Sequence, residues 1–331
     1  MYDKIKLVLY NLPMDYDWQT VLKRIDTQSY FAKGTGGSGL WHGRRVIATE
    51  TYVSFEGSLP KCLWRHNLKT LSLKEVKGLI MQLSEDLGVP MYEAVVESAE
   101  FAHNFAMEEP PIKYIQKLDA MKMFRPNGWG GTKYIDNEEV RCKFYDKMQE
   151  AKKKRELPKY GRENLPSYLL RYEVTFSTKG LSRLFGRDIV AKELWSKQVF
   201  WTLVAEWFGY YEDTVKLPND CWDVDFRIFE TPKDFVNWCI CIANAHQNLS
   251  YYVKYVLFKL RPNPQPADRG LHKQIQKKIQ DALRWGESHL VLPNLTLELT
   301  AKIEQYLVWL LEQSADGMSI AEERRIFNTA C

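Results

Sequence analysis

The chain has 331 residues, enough to bury a large core and to form about two domains. Its 45% hydrophobic and 27% charged residues are typical of a soluble globular protein, and no apolar run approaches the roughly 18 residues of a membrane span. The net charge of +4 alone is weak support for a nucleic-acid partner. Because no signal peptide opens the chain and no C-x-x-C pair occurs, we expect a cytoplasmic protein with free thiols and no zinc ribbon.

The N-terminal part of the chain is dominated by strand patterns. Alternating apolar residues from Lys4 to Leu9 predict a half-buried strand. The glycine-rich stretch 34–39 predicts a flexible loop. Residues 44–55 predict a second strand, and Lys61–Trp64 predict the start of its partner.

A helix follows this first group of strands. Ser72 and Glu75 form a capping box ahead of an apolar face with helical spacing, and Gly88 ends the pattern. Three further strands are predicted at 95–105, 138–147 and 168–177. The combination predicts an α+β fold, with an antiparallel-sheet catalytic domain backed by helices over residues 1–180.

The hydrophobic period changes to a helical one after residue 180. Helical patterns run from 194 to 207 and near 233–260, 271–286 and 296–313. We therefore expect a mainly α-helical region over residues 181–331.

The strand 95–105 carries a candidate metal site. Strand alternation places Glu100 and Asn104 on one face with the small Ala102 between them. A carboxylate and an amide oxygen two residues apart suit a hard divalent cation. A plain solvated sheet face is the simpler interpretation of this segment alone.

The strand 138–147 carries a candidate nucleophile. Lys143, Tyr145 and Lys147 share one face. A phenol is a poor nucleophile at its ordinary pKa of about 10, but neighbouring lysines and a metal would stabilise the phenolate for attack on phosphorus. The competing interpretation is a surface tyrosine on an amphipathic strand.

The strand 168–177 places Arg171 and Glu173 on one face and Tyr172 on the apolar other face. Glu173 could complete a metal site with Glu100, and Arg171 could hold a phosphate by a bidentate contact. Tyr172 is the second candidate nucleophile, because strand ends can twist.

Positive charge is concentrated between the last two strands. Residues 141–171 contain ten Lys and Arg against four Asp and Glu. The densest run consists of Lys152, Lys153, Lys154 and Arg155. The run could serve only solubility at the end of a solvated helix, or it could contact DNA phosphates.

These motifs, in this order, resemble the phage and plasmid replication initiators of the filamentous-phage gene II/X type, and more distantly the staphylococcal-type rolling-circle initiators. The resemblance covers about the first 180 residues. Its motifs are Tyr2-Asp3-Lys4-Ile5-Lys6-Leu7, Gly57-Ser58-Leu59-Pro60-Lys61 with Asn67, the helix from Ser72, Val96 to Phe105, Phe144-Tyr145-Asp146-Lys147 and Arg171-Tyr172-Glu173-Val174.

The resemblance implies a rolling-circle initiator that nicks one strand of origin DNA through a phosphotyrosine and leaves a 3′-OH for a polymerase. Its implied cofactor is Mg²⁺ or Mn²⁺, and its implied setting is the cytoplasm of a bacterial host. Its implied partners are double-stranded origin DNA with a single-stranded nick site, host helicase and polymerase, and a second copy in a homodimer. The helical region 181–331 would then bind the origin or a partner protein. Related initiators often carry Asp where Glu100 stands here.

Two other functions fit the same sequence. A DNA-binding initiator that melts the origin or recruits a helicase would keep the basic run without needing the tyrosine and carboxylates. An RNA-binding or phage accessory protein would account for the surplus of aromatic residues, on which single strands stack.

Overall fold

A computed structural model describes residues 1–32, 34–119, 121, 124–129, 131–158, 164–217, 226–247, 249, 266–290 and 294–316. Except for residue 249, the part of the predicted helix 233–260 that follows Gln247 lies outside these ranges. Among the described residues, no helix is both long and apolar enough to cross a membrane.

The centre of the fold is a ten-stranded antiparallel sheet with the strand order β2-β3-β4-β5-β1-β6-β11-β10-β9-β8. Its strands are β1 (Tyr2–Leu9), β2 (Asp26–Tyr30), β3 (Gly36–Trp41), β4 (Arg44–Thr49), β5 (Val53–Ser58), β6 (Val95–Ala106), β8 (Arg125–Trp129), β9 (Thr132–Asp136), β10 (Val140–Asp146) and β11 (Leu169–Ser177). A separate pair joins β7 (Leu118–Asp119) to β12 (Val215–Lys216).

Helices fill the connections and most of the C-terminal region. They are α1 (Trp18–Lys23), α2 (Leu59–Trp64), α3 (Leu73–Leu87), α4 (Pro111–Ile115), α5 (Lys147–Lys153), α6 (Thr178–Phe185), α7 (Lys197–Asp213), α8 (Pro232–Gln247), α9 (Pro266–His289) and α10 (Asn294–Asp316). Short 3₁₀ helices cover Met91–Glu93, Ala191–Trp195 and Phe226–Ile228. The predicted α+β class, with an antiparallel sheet backed by helices and a helical C-terminal region, is confirmed.

One face of the sheet is apolar and carries the main core. The Tyr172 hydroxyl on β11 donates to the Trp207 carbonyl of α7 at 2.9 Å, and the ring of His103 on β6 stacks on Tyr306 of α10 at 3.5 Å. The capped helix α3 contributes Val76 and other apolar side chains to the same core. Helices from both halves of the chain therefore cover one sheet face, and the predicted boundary at residue 180 stays a prediction.

The opposite face of the sheet is polar at its centre. Side chains of β1, β6, β10 and β11 meet there, because these four strands are consecutive neighbours in the order β1-β6-β11-β10. The helix α2 packs against β1 and β5, and α5 packs against β11. The candidate site lies on this face.

Three local predictions were wrong. The predicted single strand 44–55 is two antiparallel strands, β4 and β5, joined by a turn at residues 50–52. The glycine-rich stretch forms strand β3. A Cβ at Gly37 would lie 2.6 Å from the Ser29 carbonyl oxygen, and a Cβ at Gly39 would lie 2.7 Å from the Asp26 carbonyl oxygen. These glycines allow the β2 backbone to approach closely rather than making a flexible loop. The segment after Ser58 forms the helix α2, because Pro60 stands in the first turn, where its fixed φ and missing N–H favour a helix start.

Candidate functional site

Three carboxylates from three adjacent strands meet on the polar face. Asp3 of β1, Glu100 of β6 and Glu173 of β11 each offer an oxygen, and these oxygens lie within 4.8 Å of one another. Asp3 and Glu173 are buried, with side chains 5% exposed, whereas the Glu100 side chain is 16% exposed. The structure thus brings together the two predicted carboxylates, Glu100 and Glu173, and adds Asp3, which the sequence reasoning did not single out.

A β-bulge places Asp3 in this cluster. Asp3 and Lys4 of β1 together oppose the single residue Glu100 of β6. The extra residue shifts the alternation of β1, so Asp3 points to the polar face, although simple alternation from Ile5 would put it in the core. The buried Asp3 side chain accepts hydrogen bonds from the Ser58 hydroxyl and, at 2.5 Å, from the Asn67 amide.

Arg171 is the cation at the centre of the cluster. Its guanidinium donates to Asp3, to Glu173 at 2.5 Å and to the side-chain oxygen of Asn104 at 2.9 Å. The residue is only 2% exposed, and a further bond goes to the Asn67 carbonyl. The prediction that Arg171 contacts DNA phosphate is corrected, because its donors are already committed to buried protein groups.

Asn104 does not offer a free ligand atom. Its amide oxygen accepts from Arg171, and its amide nitrogen donates to the carbonyls of Asn67 and Leu68 at 3.3 and 3.0 Å. Its predicted role as a metal ligand is corrected to that of a residue that holds Arg171 and the segment after α2. Asp3 is the third side chain of the carboxylate cluster instead.

Tyr145 of β10 adjoins the acidic cluster. Its hydroxyl donates to Glu173 at 2.7 Å, and the Lys143 ammonium lies 3.8 Å from the centre of its ring. Burial, followed by the charge of Glu173, raises the pKa of Tyr145 well above its ordinary value. The phenol is therefore protonated as the structure stands, and it needs added positive charge nearby before it can ionise.

Tyr172, the second candidate nucleophile, lies in the core. It is fully buried, stacks on Phe144 at 4.5 Å and donates to the Trp207 carbonyl. Burial raises its pKa well above the ordinary value. Its candidacy is corrected, because the sheet separates it from the carboxylates and no strand twist turns it toward them.

The two lysines flanking Tyr145 differ in accessibility. Lys143 is partly exposed, with 24% of its side chain accessible, and binds Glu173 at 3.2 Å. Lys147 is 1% exposed, pairs with Glu150, and lies 5.7 Å from the centre of the Tyr145 ring. Burial, followed by the charge of Arg171, lowers the pKa of Lys147. Lys143 is accessible to a phosphate group, whereas Lys147 is buried and can influence Tyr145 only through its charge.

The basic run sits at the end of α5, which is the position expected for a run at the end of a solvated helix. Its four side chains, Lys152, Lys153, Lys154 and Arg155, are exposed. Lys154 pairs with Glu150, while Arg155 adopts a left-handed backbone with φ of 56°. The exposed side chains are accessible to a ligand on the protein surface, and DNA binding by the run stays a prediction.

Negative charge in the cluster exceeds the positive charge that compensates it. Burial, followed by the charges of Glu173 and Asp3, raises the pKa of Glu100 well above its ordinary value. Burial alone would also raise the pKa of Asp3, but Arg171 and the bonds from Ser58 and Asn67 lower it. Three carboxylate oxygens within 4.8 Å and one undercompensated carboxylate fit a hard divalent cation such as Mg²⁺ or Mn²⁺.

No protein-family model and no curated protein matches the sequence. A solved structure, that of a rolling-circle replication initiator protein from Geobacillus stearothermophilus, is similar over 92% of this chain and 95% of its own length. The sequence identity is 11% and the TM-score is 0.32. A TM-score this low does not establish a common fold, so the function proposed for this chain rests on the geometry of its own site.

Proposed function

We propose that the protein nicks one strand of DNA at a replication origin, with Tyr145 as the nucleophile. The observation that carries the proposal is the 2.7 Å hydrogen bond from the Tyr145 hydroxyl to Glu173, a member of the buried carboxylate cluster. A tyrosine whose proton already faces a carboxylate, next to a site suited to a cation, has the parts required for transfer of a phosphodiester to a phenol.

The proposed step conserves atoms and charge. The Tyr145 oxygen forms a bond to the scissile phosphorus, and the bond from phosphorus to the 3′ oxygen breaks. The product is a 5′-phosphotyrosine and a free 3′-OH. Glu173 takes the phenol proton and later releases it to water, and the leaving 3′ oxygen takes a proton from water as it departs.

The carboxylates Asp3, Glu100 and Glu173 would hold the cation, which would polarise the scissile phosphate and favour the phenolate. Lys143, 3.8 Å from the centre of the Tyr145 ring, would add positive charge on the exposed side. Arg171 fixes the positions of Asp3 and Glu173 from beneath. In this proposal origin DNA is the substrate, and a host helicase and polymerase would act on the product.

The test is covalent capture. The purified protein is incubated with Mn²⁺ and labelled single-stranded oligonucleotides tiled across its own coding region and flanks. We expect a protein–DNA adduct that is lost in Tyr145→Phe. Tyr134→Phe is the matched control, because Tyr134 pairs with Lys143 on the neighbouring strand but makes no contact with the carboxylates.

An adduct that survives in Tyr145→Phe would overturn the assignment of the nucleophile. Binding of origin DNA without any adduct or nick would favour the other function considered, an initiator that melts the origin or recruits a helicase.

A further inference from the structure

A cavity of about 440 Å³ opens between the turn joining β3 to β4 and the helix α2. Its lining residues are His42, Gly43, Arg44, Lys61, Cys62 and Arg65. Three of these six are cationic and none is acidic. The cavity is therefore the opposite in charge to the carboxylate cluster.

Two of the cations are uncompensated. Among the described residues, neither Arg44 nor Arg65 forms an ion pair, whereas Lys61 pairs with Glu156 at 2.5 Å. The Nε of Arg44 is buried and finds no hydrogen-bond partner among the described residues. A buried guanidinium donor without a partner is costly, and an anion in the cavity would satisfy it.

The backbone holds these cations in place. A Cβ at Gly57 would lie 2.6 Å from the Cβ of Arg44, so the glycine makes room for the arginine stem on the neighbouring strand. Arg65 ends α2 in a left-handed conformation with φ of 62°, a position that favours glycine. The backbone conformation does not explain why an arginine stands at this position. Its positive charge is the feature that needs an explanation.

The helix α2 connects the cavity to the acidic cluster. Ser58, the residue that caps α2, donates to Asp3. Lys61, three residues later, lines the cavity. The same short helix therefore begins beside Asp3 and carries Lys61 and Cys62 of the cavity lining, with Arg65 at its end.

A negatively charged strand needs positive charge close to three carboxylates if it is to enter the cluster at all. Arg171, which the sequence pattern favoured for this task, is buried and committed to Asp3 and Glu173. The cavity that contains Arg44 and Arg65 would supply cations in addition to Lys143, and α2 links it to the cluster through Ser58.

We propose that this cavity binds a backbone phosphate of the single-stranded DNA that is cleaved at Tyr145. The inference rests on the proposed nicking function and assigns the cavity as a positioning subsite for the same strand. The shared chemistry is a phosphate monoanion or dianion, which a DNA backbone or a free nucleotide could supply.

The test measures binding of a labelled single-stranded oligonucleotide by fluorescence anisotropy in EDTA, over a series of salt concentrations. The variants are Arg44→Gln and Arg65→Gly. The second is chosen because glycine suits the left-handed end of α2, so a loss of binding cannot be attributed to a damaged fold. Arg187→Gln, which removes an exposed arginine paired with Glu193, is the matched control.

We expect each cavity variant to bind about tenfold more weakly, as when one charge-assisted hydrogen bond is removed, and the control to bind as wild type. The slope of log affinity against log salt should fall by roughly 0.7 for each phosphate that the variant no longer neutralises. A neutral methylphosphonate at one position of the oligonucleotide should weaken wild-type binding and leave Arg44→Gln unaffected.

Unchanged affinity in both cavity variants, or no binding of single strands by the wild type, would overturn the subsite. Displacement of the oligonucleotide from the wild type by micromolar mononucleotide would assign the cavity to a nucleotide and overturn its assignment to a DNA strand. The nicking assay separates the two proposals. Weakened binding in the cavity variants, together with a wild type that never forms an adduct, would keep the subsite and reject nicking by Tyr145. Normal binding and normal nicking in the cavity variants would reject the subsite and keep nicking by Tyr145.

Discussion

Glu100 is the residue whose charge is least compensated in the cluster. Its nearest cation, Arg171, is 4.0 Å away and already binds Asp3 and Glu173. Because the pKa of Glu100 is raised in the folded protein, its protonated form contributes stability below its ordinary pKa of 4.5. That contribution is lost as the pH rises through the raised value.

The substitution Glu100→Gln should therefore stabilise the metal-free protein at pH 8, because it removes a charge that its surroundings do not compensate. Urea denaturation in EDTA at pH 5 and pH 8 should show a smaller loss of stability on raising the pH in the variant than in the wild type. Glu56→Gln, at an exposed pair with Lys4, serves as the control. A variant as pH-dependent as the wild type would contradict the compensation argument.

The same variant tests the cation site. Millimolar Mn²⁺ should raise the melting temperature of the wild type and have a much smaller effect on Glu100→Gln, because binding to the folded state alone stabilises it. Equal shifts in both proteins would place the cation elsewhere.

At the scale of the element, the bulge in β1 gives two adjacent residues opposite roles. Asp3 is buried against Arg171, while the Lys4 side chain is 52% exposed. Asp3→Asn should destabilise the protein by about 3 kcal/mol, since it removes one carboxylate from a buried ion pair. Lys4→Gln should change the free energy of unfolding by less than about 0.5 kcal/mol. Equal effects in urea denaturation would contradict the placement of Asp3 in a buried ion pair with Arg171.

The helix α3 is a structural element and should be separable from activity. Its capping box joins Ser72 and Glu75 through bonds of 2.9 Å and 3.3 Å. Ser72→Ala should cost about 1 kcal/mol of stability and leave adduct formation intact, whereas Lys74→Ala, at an exposed position of the same turn, should cost little. Loss of adduct formation in Ser72→Ala at a temperature where it is folded would contradict this separation.

Strand alternation allowed much of the site to be predicted from the sequence. It placed Glu100, Glu173 and Tyr145 on polar faces, and the structure brings all three together. Asp3 was missed because a bulge reverses the face of a residue without changing the local composition. The sequence signal for Asp3 was a single carboxylate at the start of a strand with a buried face.

The partners of charged groups could not be predicted in the same way. Arg171 and Asn104 carry the right chemistry for phosphate and metal, but each is consumed by a contact with the other and with residues distant in sequence. Distant contacts also decided the fate of the segment that forms α2. Pro60 was the local signal for a helix. The expected hairpin partner of β5 was not needed, because β1 already occupies that edge of β5.

At the scale of the whole molecule, the C-terminal half completes the core under the site. Trp207 and Tyr306 pack on the apolar face beneath β6 and β11, and Tyr211 bonds to Thr300 at 2.7 Å. A fragment of residues 1–180 would expose Tyr172 and His103 on a bare sheet face.

We therefore predict that the fragment 1–180 lacks the cooperative thermal unfolding transition of the full chain. Circular dichroism on both proteins tests this expectation. A cooperative transition in the fragment would support the boundary at residue 180 and would show that the helices are dispensable for the fold.

The most direct test of the central claim is mass spectrometry of the tryptic peptides from a protein–DNA adduct formed with Mn²⁺. Cleavage after Lys143 and Lys147 isolates Phe144–Lys147, in which Tyr145 is the only hydroxyl-bearing residue. A nucleotide phosphate on this peptide is the predicted result. A nucleotide on any other peptide, or its absence from all peptides of a protein that has nicked its DNA, would contradict the assignment of Tyr145.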